Sequence, residues 1–275
     1  MILVTGATGN VGNELVHALV ARHQPVRAVA RNPDAAAFPA PVDVASADLA
    51  APRSMAGALA GIRKLFLLGG FATTELLETV RDAGVEHVAL LTSRCVIGGN
   101  PENAVTRMWL DGESAVRESG VPWTILHPSG FHSNALRWVP QLNRGNVVRA
   151  PWPGVAIASI DPADIAAVAA TVLAEPGHEY TAPALSGPEP LTPGQQVATL
   201  ARVLDRPLHY EPLSDDQARA EMLADTPAPI VDGLFRFFTD GEFDDSTVQD
   251  SVLKVTGRAP LRFEDWARDH ASDFP

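Results

Sequence analysis

The residues best placed to do chemistry stand at the start of the chain, where MILVTGATGNVG sets Gly6, Gly9 and Gly12 at a GxxGxxG spacing behind a short apolar run. Gly6 permits a tight strand-to-helix turn, Gly9 lets backbone approach a diphosphate, and Gly12 lets the next helix pack closely on the sheet. A diphosphate seated there meets free N–H groups at the positive end of a helix. Thr8 and Asn10 can add side-chain hydrogen bonds. Glycines also punctuate ordinary turns, so the weight of the motif lies in its place between a strand and a helix.

The end of the second apolar run bears on which dinucleotide is taken. An acidic residue there would accept from a ribose diol. The sequence instead reads VRAVARNP, placing Arg31 and Asn32 at that point. A guanidinium suits a 2′-phosphate and gains nothing from a neutral diol, so NADP(H) is expected over NAD(H). Asp34, behind Pro33, reads as a helix-start residue rather than a ribose ligand. Asp48 and Leu49 follow the third run, where such folds bind the adenine amine. Leu68, Gly69 and Gly70, then Thr92 and Ser93, close two further runs at the carboxyl edge where ligands lie.

These positions imply a scaffold. Short, nearly continuous apolar runs predict buried parallel strands over 2–5, 26–30, 42–45, 64–68, 87–92 and 123–127. Amphipathic stretches between them predict helices over 11–22, 52–60, 74–83 and 102–119, with Gly61, Gly84 and Gly120 as left-handed caps. Asp161 and Pro162 open another helix to Leu173. The expected fold is α/β: a Rossmann doubly wound parallel sheet with a smaller, mainly helical C-terminal substrate-binding region. The expected boundaries are 1–174 for the dinucleotide-binding domain and 175–275 for the second region, with 131–155 a stretch that could interleave with it. Past Glu175 prolines punctuate the chain. Val231, Leu234, Phe235 and Phe238 then follow helical spacing, as do Val248, Val252 and Val255, and then Phe263, Trp266 and His270.

Bulk properties narrow the partners. A net charge of −12 with only two lysines, Lys64 and Lys254, argues against a nucleic-acid surface. The lone Cys95 permits no intrachain disulfide and fits a reducing compartment. No apolar stretch approaches the ~20 residues of a membrane span. Met1 leads into ILV rather than a cationic leader, so a cytoplasmic location is expected. The dispersed histidines show no metal-ligand spacing, and no Gly-x-Ser-x-Gly elbow occurs.

TGATGNVG, ARNP, ADL, ESAVRESGVPWTILHPSGF and SIDPADIAAVAA, with the tail segments LSGPEPLTPGQQVATLARVLDRPLHY and TGRAPLRFEDWARDHASDF, resemble the NmrA-like group of atypical short-chain dehydrogenases/reductases. The likeness spans nearly the whole chain. It implies that Gly6, Thr8, Gly9, Asn10, Val11 and Gly12 hold the pyrophosphate, Arg31 the 2′-phosphate, and Asp48 and Leu49 the adenine. Leu68, Gly69, Gly70, Thr92 and Ser93 would border the ribose and nicotinamide. His127, Pro128, Ser129, Gly130 and Phe131 would flank the nicotinamide, with Phe131 covering the ring. The bacterial members it resembles are described as NAD(P)H:quinone oxidoreductases, triphenylmethane-dye reductases or NAD(P)-binding proteins, and the group also contains non-catalytic redox sensors.

Two departures matter. His127 stands where the group usually has Arg. The Tyr-x-x-x-Lys pair of ordinary short-chain dehydrogenases, which handles the hydroxyl proton, is missing: the only tyrosines are Tyr180 and Tyr210. Hydride transfer to a conjugated acceptor tolerates that loss, because the product charge delocalises and takes a proton from water. The expectation is an NADPH-dependent oxidoreductase for a small aromatic or conjugated acceptor, as monomer or homodimer. The alternative is a non-catalytic NADP(H)-binding sensor; an epimerase-type enzyme would again lack its tyrosine. The catalytic candidates are Ser93, Glu113 and His132. Arg94 and Asp111 are further polar neighbours. Glu113, four residues past Trp109, could share its face toward the crevice.

Overall fold

Six of the apolar runs lie side by side as parallel strands in the structure, a computed structural model that describes residues 1–32 and 38–275. They are β1 (Ile2–Val4), β2 (Val26–Ala30), β3 (Asp43–Ser46), β4 (Lys64–Leu68), β5 (His87–Leu91) and β6 (Trp123–Pro128). Sequence alone missed three short strands: β7 (Val147–Ala150), β8 (Ala184–Leu185) and β9 (His209–Pro212). The main sheet runs β3-β2-β1-β4-β5-β6-β8, all parallel, so the winding reverses between β1 and β4. That reversal opens a crevice at the carboxyl ends of the strands. β8 joins through His127 N–H to Pro183 O (3.0 Å) and Ser129 N–H to Leu185 O (2.8 Å).

Strand pleating sends alternate residues to opposite faces. Ile2, Val4, Phe66 and Ala89 pack under α1 (Asn10–Ala21) and α6 (Pro162–Ala174). Leu3, Leu65, Leu67, Val88 and Leu90 pack under α2 (Met55–Ala58), α3 (Thr74–Asp82) and α4 (Ala104–Glu118). The helix expected over 52–60 divides into a 3-10 turn (Pro52–Ser54) and the single turn of α2. Gly61, Gly84 and Gly120 follow their helices at φ +75°, +78° and +77°, the left-handed cap conformation.

The remaining helices are α5 (Val139–Leu142), α7 (Pro193–Val203), α8 (Asp215–Met222), α9 (Ala228–Phe238), α10 (Ser251–Thr256) and α11 (Phe263–Asp269). A separate core joins Phe263 and Trp266 of α11, Val197 and Leu200 of α7, and Val148 of β7. β7 pairs with β9, which ties the stretch after β6 to the C-terminal segment. Asp164 on α6 anchors that segment from below, accepting Leu261 N–H (2.7 Å) and pairing with Arg258 (2.6 Å). No described helix is long and apolar enough to cross a membrane.

Candidate dinucleotide groove and apolar cleft

The glycine turn is shaped by contacts that a side chain would destroy. Gly6 sits at φ +59°, and a Cβ there would lie 2.6 Å from Leu68 Cδ1. A Cβ on Gly12 would lie 2.1 Å from Gly6 O, so α1 packs directly on the turn. Gly9 N–H donates to Gly6 O (2.9 Å), and Gly9 caps α1 without any side-chain hydrogen bond. The first N–H groups of a helix have no partner inside it. With no capping side chain over them, they suit a phosphate. Asn10 is turned aside, donating from Nδ2 to Ser133 Oγ (3.0 Å).

A groove of about 520 Å³ runs from this turn along the crevice. Gly6, Thr8, Gly9, Asn10, Val11 and Gly12 form one wall. Arg31, exposed directly after β2, and Asp48, Leu49 and Ala50 form the far end. Asn32 is exposed beside Arg31 and is not part of the lining. Asp34 lies outside the described residues. Asp48 Oδ1 accepts Ala50 N–H (3.0 Å) and its main chain brackets the Ser54 hydroxyl at 3.0 Å on both sides, which fixes this end of the groove.

At Leu68, Phe71, Leu91 and Phe131 the groove opens into a second cavity of about 420 Å³. Gly69, Gly70, Thr92, Ser93, Trp109, Pro128, Ser129, Gly130 and Asn134 complete its lining. No acid or base is among them. Gly69 is needed because a Cβ would meet Leu91 O at 2.7 Å and Trp109 Cε3 at 3.1 Å, so the indole could not close the wall. The Ser93 hydroxyl accepts Cys95 N–H (3.3 Å) and caps the turn that follows β5. Phe71, Leu91 and Asn134 carried no signal in the sequence, since each joins the lining only through the fold.

Several sequence candidates lie elsewhere. Glu113 does not share the crevice with Trp109; it is buried one helical turn away. Its Oε1 accepts from Thr92 Oγ1 (2.9 Å) and lies 2.7 Å from His127 Nε2, and its Oε2 accepts from Arg117 (3.2 Å). Burial raises the Glu113 carboxyl, but the donors from His127, Thr92 and Arg117 together outweigh it and hold it below the ordinary carboxylate value. His127 therefore belongs to the support of β5 and β6 and not to the cavity lining. Thr92 turns its methyl toward Gly69 and its hydroxyl back to Glu113.

His132 is buried with Nδ1 2.9 Å from Ser159 Oγ and its ring edge-on to Phe263. Burial pushes its pKa down to about 4, so it is a neutral packing residue and offers the cleft no proton. Asp111 is exposed on the outer side of α4. Arg94 is buried and clasps the segment before α10: Nε lies 3.0 Å from Asp245 Oδ1, and the other nitrogens donate to Thr247 O (2.5 Å) and Asp244 O (2.6 Å). Asp245 Oδ2 in turn accepts Gly130 N–H (2.9 Å). Among the described residues no group of His, Cys, Asp or Glu converges as a metal site would require.

Comparison with known proteins agrees with this geometry. Residues 6–176 match the NAD(P)H-binding family. The chain is 38% identical, over its whole length and 99% of the relative, to the (4-alkanoyl-5-oxo-2,5-dihydrofuran-3-yl)methyl phosphate reductase of Streptomyces griseus. It is 32% identical, again over its whole length and 99% of the relative, to the NAD(P)H azoreductase of Xenophilus azovorans. The NADPH complex of the quinone oxidoreductase QOR2 from Escherichia coli superposes with a TM-score of 0.80 at 25% identity, covering 99% of this chain and 100% of that one. A glycine turn at the switch point, an apolar cleft beside it and full-length likeness to these reductases lead to one conclusion: the chain belongs to the NAD(P)H-binding family.

Proposed function

We propose that the protein is an NADPH-dependent reductase that delivers hydride to a small aromatic or conjugated acceptor without a Tyr-Lys pair. The observation that carries this reading is the apolar cleft continuous with the dinucleotide groove, whose lining holds no acid or base. Such a cleft suits an acceptor whose charge delocalises after hydride arrives. It is poorly equipped for a ketone, whose alkoxide needs an immediate proton. The named activities of the relatives, on a dihydrofuranone phosphate and as an azoreductase, favour acceptors of this conjugated type.

The turn from Gly6 to Gly12 would hold the pyrophosphate through backbone N–H groups, Arg31 the 2′-phosphate, and Asp48 and Leu49 the adenine. Bound NADPH supplies the hydride at its nicotinamide. Leu68, Gly69, Thr92, Ser93, Pro128 and Ser129 would flank that ring, and Phe131 and Trp109 would confine the acceptor and exclude water. Catalysis then rests on positioning, with reacting atoms ~3–3.5 Å apart, and the proton comes from solvent.

Anaerobic incubation with NADPH and a panel of quinones, enones and azo dyes, followed at the nicotinamide absorbance band, tests the reading. Oxidation of NADPH matched to acceptor loss is expected. Tight NADPH binding with no oxidation by any acceptor would replace it with the sensor reading, which the absence of acid and base in the cleft also suits.

A further inference from the structure

One polar residue of the apolar cleft's lining, Asn134, is bonded to a cation that takes no part in hydride transfer. Arg137 lies on the 3-10 segment His132–Trp138, three residues after Asn134, which lines the cleft. In a 3-10 helix side chains at i and i+3 eclipse one another, so Arg137 stands directly above Asn134. Its guanidinium donates to Asn134 Oδ1 at 2.8 Å. Arg137 reaches solvent, yet enough protein surrounds it to lower its proton affinity. Among the described residues no carboxylate lies within ion-pairing distance of it, whereas Arg94 and Arg149 are both paired.

The Arg137 contact also orients the amide. A guanidinium has no acceptor, so it can bond only the carbonyl oxygen of Asn134. Asn134 Nδ2 is thereby directed the other way, to 3.8 Å from the Cβ position of Gly130 on the cleft wall. Two donors, one charged and one neutral, thus stand side by side, Asn134 in the lining of the cleft and Arg137 beyond it. The Asp245 carboxylate lies equally close to that Gly130 position but is held by Gly130 N–H and Arg94. In a protein of net charge −12 an anion gains nothing from the general field, so a local receptor is what an anionic substrate would need.

We propose that Asn134 and Arg137 form a receptor for an anionic group (phosphate, sulfonate or carboxylate) on the molecule whose conjugated part occupies the cleft. The inference rests on the reductase reading for the nature of that molecule but is tested by binding alone. The probes are 1,4-naphthoquinone-2-sulfonate and uncharged 2-methyl-1,4-naphthoquinone, titrated calorimetrically against the protein saturated with NADP⁺. A charge-assisted hydrogen bond supports a loss of about tenfold to a hundredfold when it is removed. Arg137→Met is therefore expected to lower the affinity ratio of sulfonate over neutral probe by that factor, and Arg137→Lys to restore part of it.

An unchanged ratio, or no binding of the sulfonate to the unmodified protein, overturns the receptor. So does a comparable loss of NADP⁺ affinity in Arg137→Met, which would assign the cation to the cofactor. Failure of every acceptor to oxidise NADPH, with the ratio still sensitive to Arg137, would sink the reductase reading and leave the receptor standing.

Discussion

Arg31 and the glycines show how one residue type can decide one property. Gly12 is fixed by a backbone oxygen 2.1 Å from any Cβ, a contact that no rotamer change can relieve. Arg31 is different: it is exposed, and its role depends on what ligand reaches it. If it meets a 2′-phosphate, Arg31→Asp is expected to weaken NADPH binding about tenfold to a hundredfold. NADH affinity should hold or improve. Fluorescence titration with both nucleotides checks this, and equal affinities before and after substitution would remove Arg31 from the site. The glycine spacing and Arg31 were legible in the sequence because their effect is local. The fates of Glu113, His127 and His132 were not, since each depends on which strand or helix lies behind it.

Elements set the cleft's shape through a buried clasp. Arg94 follows β5, Asp245 precedes α10, and Gly130 follows β6; the Arg94–Asp245 pair and the Gly130 amide bond join all three. Removing one partner of a buried pair leaves the other charge stranded, at a cost of about 3–5 kcal/mol. Asp245→Ala is therefore expected to destabilise the protein by that amount and to expose the stretch 240–250 to protease. The double variant Arg94→Leu, Asp245→Leu should recover much of the loss. Denaturant midpoints alongside limited proteolysis measure both, and a single variant as stable as the parent would mean that the clasp does not hold the segment. Five of the six main strands could be read as apolar runs because both faces are covered, whereas β3, DVAS, is an edge strand with no fully buried residue. β8 could not, being two residues among prolines, and β9, HYEP, has no apolar alternation to betray it.

At the scale of the whole molecule, buried titratable groups shape acid stability. His87 and His132 both have pKa values lowered by burial from 6.5 to about 4. Between those pH values the unfolded chain binds protons that the folded protein refuses. Their contribution is complete above pH 6.5 and is lost as pH falls toward 4, by roughly 3 kcal/mol each. Asp161 runs the other way: burial raises it from 3.8 to about 6, so the folded protein takes up its proton first and gains from acid in that window. Burial raises Asp164 and Asp245 in the same direction as Asp161. His132→Gln is therefore the direct test: the thermal midpoint of the variant is expected to lose less on its acid limb, between pH 7 and pH 4, than that of the parent. An identical limb in the variant would show that His132 is charged in the folded protein.

The sequence by itself determined that this chain folds as a doubly wound α/β protein with a dinucleotide turn at its start, because glycine spacing, strand-length apolar runs and helix caps act over a few residues. The tertiary structure decided the rest. It carried Phe71, Leu91 and Asn134 from three separate segments into one cleft, and it drew Glu113 and His132 into hydrogen-bonded burial. Packing between distant segments sets those outcomes, and no local pattern records which segments will meet.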